Sequence, residues 1–184
     1  MISKHSLRHL ILYSPCFALT LSGFEKFSVY GFSIDYPAVC RIEFNPKSKR
    51  EIGDVVFHFP EKEKVFLSWG DLEKAREKFP SVDAQAEHSI KVIAARHEVK
   101  NLQRIRQDSL RINSHIAQYN SIQLDEIKPS LFWSGKGITR QAYSLHVHCD
   151  NSSRYFVIYT LPTVLAPPGF DELMLKMAKS FKCH

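Results

Sequence analysis

The stretch from Gln141 to His184 restricts the fold more than any other part of this chain. Tyr143, Leu145, Val147 and Cys149 alternate with Ala142, Ser144, His146 and His148. Successive strand residues point to opposite faces, so the first set marks a core face and the second the opposite face. Asp150-Asn151-Ser152-Ser153 reads as a turn, and Tyr155 to Leu161 as a second strand. After Pro167-Pro168-Gly169, apolar residues Phe170, Leu173, Met174, Met177, Ala178 and Phe181 recur at i, i+3, i+4, i+7, i+8 and i+11. That spacing is one face of a helix. Asp171 and Glu172 fall in its first turn, where the helix dipole favours acids. The unit predicts two antiparallel strands covered by an amphipathic helix whose methionines pack into the core.

The upstream half repeats the same two periods. Phe32, Ile34 and Tyr36 alternate with polar residues, as do Cys40, Ile42 and Phe44. Val55, Phe57 and Phe59, then Val65, Leu67 and Trp69, follow the same pattern. Four short strands joined as hairpins are expected. A helix over Leu72 to Lys78 is stopped by Pro80, and a longer one runs from Val82 to His97. Ser81 or Asp83 caps the longer helix, and Ala86, Ile90, Ile93 and Ala94 form its core-facing stripe. Strands over Leu102 to Ile112 and Ile116 to Leu124 flank an Asn113-Ser114 turn. Residues 125–137 read as an irregular loop. The elements add up to one soluble α+β domain with an antiparallel sheet.

Length and composition agree with this. The 184 residues suit a single domain large enough to bury a core without disulfides, and 44% hydrophobic with 24% charged residues is ordinary for a globular chain. Seven glycines are too few for glycine-rich phosphate loops, and the net charge of +6 permits an acidic partner without requiring one. The four cysteines form no CxxC and read as reduced thiols, with a Cys40–Cys183 or Cys149–Cys183 bridge as the alternatives. Residues 1–27 read as an N-terminal extension and 28–184 as the domain. Lys4 and Arg8 precede an apolar run, Leu10 to Leu21, that Pro15 interrupts. A cytoplasmic chain is expected, with secretion the alternative if residues 1–22 act as a signal peptide.

Three segments carry a family resemblance: GFSIDYP at Gly31–Pro37, RYFVIYT at Arg154–Thr160, and FDELMLKMAKSFKCH at Phe170–His184. Over residues 28–184 the order of elements resembles the PsbP-like domain family, whose fold is shared with a Ran-binding nuclear import factor. The chain most resembles the small, uncharacterised archaeal-type members. The resemblance implies an α/β/α sandwich around a mostly antiparallel sheet. It also implies a binding or assembly module with no catalytic residues and no cofactor. The family's turn between the middle strands is often Asn-Gly, and Asn113-Ser114 departs from it.

Chemistry-bearing residues are few. His146 and His148 share a strand face and could both reach one metal ion, but zinc wants three or four ligands. His115, His97, His88, Asp150 and the Cys183-His184 end are the candidate additions. Cys149 beside His148 is no catalytic dyad, because adjacent strand residues face opposite ways. Lys100, Arg104 and Arg106 share a parity and could form a basic strand face for nucleic acid, the weaker alternative partner. Leu131, Phe132 and Trp133 could anchor a protein partner from the loop. The reading reached is a non-enzymatic protein-interaction or assembly module; the alternatives are a metal-binding protein using His146 and His148, or a weak nucleic-acid binder.

Overall fold

The computed structural model describes residues 23–96, 99–127, 137–161 and 168–184. The described residues hold nine strands and three α-helices, with five strands before the first two helices and four between them and the last. The strands are β1 (Phe24–Val29), β2 (Phe32–Pro37), β3 (Arg41–Phe44), β4 (Gly53–His58), β5 (Lys64–Asp71), β6 (Val99–Ile112), β7 (His115–Ile127), β8 (Gly137–Cys149) and β9 (Arg154–Thr160). The helices are α1 (Leu72–Lys78), α2 (Val82–Arg96) and α3 (Phe170–Ser180). Seven strands make one antiparallel sheet in the order β3-β4-β5-β9-β8-β7-β6, and β1 and β2 form a separate hairpin.

Strand parity sorts the layers. The odd residues of β5 and β8 and the even residues of β9 face α3 and the β1–β2 hairpin, burying Leu67, Trp69, Leu145, Val147, Phe156 and Ile158 almost completely. Phe32 joins them with its ring 4.9 Å from Trp69 and 5.3 Å from Phe156, and Phe181 reaches 5.1 Å from Phe156. Burying side chains of this size is the main source of stability here. Met174 and Met177 lie at 1% and 0% exposure, so the α3 stripe packs as its spacing predicts. The other face carries α1 and α2; Ile90 of α2 packs on Ile122, Leu124 and Ala142. The result is the expected α/β/α sandwich.

Two turns lock the hairpins. Tyr30 and Gly31 both take positive φ, 51° and 84°, in the two-residue β1–β2 loop. Asn113 and Ser114 do the same at 46° and 72°, so Ser fills the place that glycine usually takes, and Ile112 faces His115 directly.

The structure departs from the sequence reading in three places. β1 starts at Phe24, inside the segment assigned to the extension; its irregular burial hides the period-two signal. β2 pairs with β1 and not with β3, because the hairpin leaves the main sheet and packs on its face beside α3. β7 runs to Ile127 and β8 starts at Gly137, so both strands reach into the expected loop. Leu131, Phe132 and Trp133 lie outside the described residues.

Candidate functional site

The apolar parity of β8 faces α3, so its even residues must lie under α2. There they meet the even residues of β7: Gln118 opposes His146, and Asn120 opposes Ser144. With His148, and Gln85 from α2, these side chains form a buried polar layer. The α2 stripe covers only the Ile122–Leu124 end of β7 with apolar groups, and polar ones fill the remainder.

The two histidines have different surroundings. Nε2 of His148 lies 2.8 Å from Oε1 of Gln85 and donates to it. Burial, followed by the nearby Arg76 charge, holds its imidazole below the usual value. His146 is fully buried, and neither ring nitrogen has a hydrogen-bond partner among the described residues. Burial, then the neighbouring His148, lowers its pKa to about 4. Both amide atoms of Asn120 likewise have no partner among the described residues. Polar atoms buried without a partner cost about 1–3 kcal/mol each.

A cleft of about 460 Å³ opens beside this layer, between α2 and the β8–β9 pair. His88, Ser89, Val92, His146, Tyr159 and Leu161 are among its walls. Leu161 is 58% exposed. A neutral imidazole has one donor and one acceptor, and both His146 nitrogens lie beneath the surface of the cleft. Sequence reasoning singled out His146 and His148 and passed over Gln85 and Asn120, since an isolated amide carries no spacing signal.

Most of the proposed additions to the histidine pair fall elsewhere. His88 lines the same cleft, but no third His, Cys, Asp or Glu donor joins His146 and His148 in a metal-competent cluster among the described residues. His97 lies outside those residues. His115 and the Cys183-His184 end gather instead around Cys149, on the opposite face of β8. There Cys149 and Cys183 form a disulfide, which overturns the expectation of reduced thiols for this pair. Residues 149 and 183 are brought together only by the docking of α3. Cys40 remains a free, buried thiol, raised to about 12 by burial and then by Glu61.

The basic strand face does not form as expected. A bulge shifts the β6 register between Arg104 and Arg106 and turns the two to opposite sides. Arg104 pairs with Glu87 on α2, whereas Arg106 lies 3.6 Å from Asp171 on α3.

No helix among the described residues is long and apolar enough to cross a membrane. No protein-family model matches the sequence, and no curated protein matches it. Among solved structures, the chain is similar to cyanobacterial PsbP (CyanoP) from Synechocystis sp. PCC 6803, with a TM-score of 0.56 and 13% identity. That match covers 94% of this chain and 99% of the other, and shows a PsbP-like fold for the described residues.

Proposed function

We propose that this chain is a non-enzymatic protein-interaction or assembly module, and that a polar side chain of its partner enters the cleft beneath α2. The observation that carries this is His146, fully buried with both ring nitrogens unpartnered beside an open cleft. A hydroxyl or carboxamide can satisfy a neutral imidazole, whereas a charge would lose its hydration there. Exposed Leu161 supplies an apolar contact at the rim. Leu131, Phe132 and Trp133 are proposed as a second contact. Membership of the archaeal-type branch of the PsbP-like family belongs to the same proposal. The Cys149–Cys183 disulfide persists best in an oxidising compartment, which supports secretion over the cytoplasm.

The unpartnered nitrogens of His146 also favour a second reading, in which His146 and His148 hold a metal ion together with ligands from the partner. Affinity capture with wild-type protein, Leu161→Glu and Trp133→Ala tests the first reading. Loss of a partner with Leu161→Glu is expected. An identical partner set for all three proteins would clear both surfaces of the role. Dependence of capture on added zinc would favour the metal reading.

A further inference from the structure

At the C-terminal end of β8, four side chains converge from three parts of the chain. His115 opens β7, Cys149 closes β8, and Cys183 and His184 follow α3. One donor atom from each lies within 4.8 Å of all the others. We propose that reduction of the Cys149–Cys183 disulfide opens a Cys₂His₂ zinc site formed by these four residues.

Two thiolates and two imidazoles are a donor set that zinc takes in tetrahedral structural sites, with Zn–S near 2.3 Å and Zn–N near 2.0 Å. Those lengths put a ligating sulfur and nitrogen about 3.5 Å apart. Nδ1 of His184 already lies 3.4 Å from Sγ of Cys149 and 3.3 Å from Sγ of Cys183. A zinc ion with two thiolates and two neutral imidazoles has no net charge, so it can occupy a place where both cysteines are at 0% exposure.

The histidines are prepared in a way the disulfide does not require. Nε2 of His115 is buried and has no hydrogen-bond partner among the described residues. Its Nδ1 faces Asp150 Oδ2 at 3.8 Å, an ion-pair separation beyond hydrogen-bond reach that leaves a carboxylate on the ring's outer side. Nε2 of His184 lies 3.2 Å from Asn151 Nδ2; a half-turn of that amide presents its oxygen to an Nε2–H and leaves Nδ1, which faces the sulfurs, free to ligate. The segment itself is pinned. The Cys183 N–H donates to Asn113 Oδ1 at 3.1 Å, and Lys182 pairs with Ser33 through two backbone bonds of 2.9 and 2.8 Å. His184 is exposed and gives the ion a path from solvent.

The two states interconvert with balanced chemistry. Two equivalents of a small thiol break the protein disulfide and leave as one small-molecule disulfide. The two cysteines then release two protons as two Zn–S bonds form. In reverse, a small-molecule disulfide accepts two electrons from the cysteines and, with two protons, leaves as two thiols. The protein S–S bond closes, and zinc departs as the unchanged divalent ion.

The test uses the full chain without a histidine tag, either reduced with a phosphine or oxidised with a small disulfide. Each sample is loaded with zinc, dialysed and analysed for metal; cobalt is titrated in parallel. One zinc per reduced chain and none per oxidised chain is expected, with tetrahedral cobalt bands and sulfur-to-cobalt charge transfer only after reduction. His115→Ala and His184→Ala should each weaken binding by about tenfold or more, with far-ultraviolet dichroism confirming the fold. The proposal is overturned if the reduced protein takes up no stoichiometric zinc, or if both variants bind as wild type does. Zinc lost in His146→Ala but kept in His115→Ala would place the metal at the β8 histidine pair and would equally overturn it.

Discussion

His146 and Arg154 show how unevenly single residues announce themselves. The His146–His148 spacing stands out in the sequence, and its parity correctly excludes the core face. Parity does not reveal that Gln85 would engage one ring and leave the other unpaired, because Gln85 lies 63 residues from His148. Arg154 gives no signal, since it is the first residue of an apolar strand. Yet it is 4% exposed, donates to the carbonyls of Arg50 and Tyr30 at 3.1 and 3.0 Å, and lies over the rings of Phe32 and Phe156. The buried imidazole has a consequence for stability. His146 titrates at about 4 in the folded chain against 6.5 when unperturbed. Between those values the unfolded chain binds a proton that the folded one refuses. The resulting stability is present above pH 6.5 and is lost as pH falls toward 4, by about 3 kcal/mol in all. Urea midpoints of wild type and His146→Gln between pH 7 and 4 check this. Wild type should lose about that much more than the variant, whereas parallel curves would mean that His146 protonates freely in the fold.

At the scale of elements, period decided most assignments. Two-residue alternation located β2, β4, β5, β8 and β9, and helical spacing located α3, because each has one face against the core. Where that condition fails, so does the pattern. β1 lies on the outside of its hairpin, and its exposed and half-buried residues do not alternate regularly. The bulge in β6 breaks parity between Arg104 and Arg106, so a basic face counted from sequence spacing disperses to two sides. The Ser180-Phe181 ending of α3 acquires a physical role. Ser180 Oγ accepts from the Asp35 N–H at 2.9 Å and donates to the Met177 carbonyl at 2.7 Å, while Phe181 fills the space beside Phe32 and Phe156. The pair fastens the β1–β2 hairpin to the end of α3. Ser180→Ala should therefore destabilise by about 1–2 kcal/mol, since it leaves a half-buried backbone N–H without its acceptor. Amide hydrogen exchange should show faster exchange in β2, with β8 and β9 unaffected. Uniform exchange changes across the sheet would refute a local fastening role.

The whole molecule is held by contacts that cross it, and these are the least visible in the sequence. No CxxC or other spacing links Cys149 to Cys183. They meet because β9 returns beside β8 and α3 then lies back over both, bringing residues 34 apart to a Cα separation of 6.4 Å. The same closure gathers His115 and His184, so site and fold are one event. A cross-link over a loop of this length removes conformational freedom from the unfolded chain equivalent to about 4 kcal/mol. Reduction with a phosphine in metal-free buffer should lower the unfolding free energy by about 3–4 kcal/mol and shift the urea midpoint down. The double variant Cys149→Ser/Cys183→Ser should match the reduced wild type and show no further response to reductant. Cys40→Ser should keep the full response, since Cys40 is a free thiol. Zinc added to the reduced wild type should recover stability in proportion to its occupancy, because an ion bound only by the folded state raises the unfolding free energy. If reductant leaves the wild-type midpoint where it was, the cross-link does not hold β8 to the segment after α3 in the folded protein.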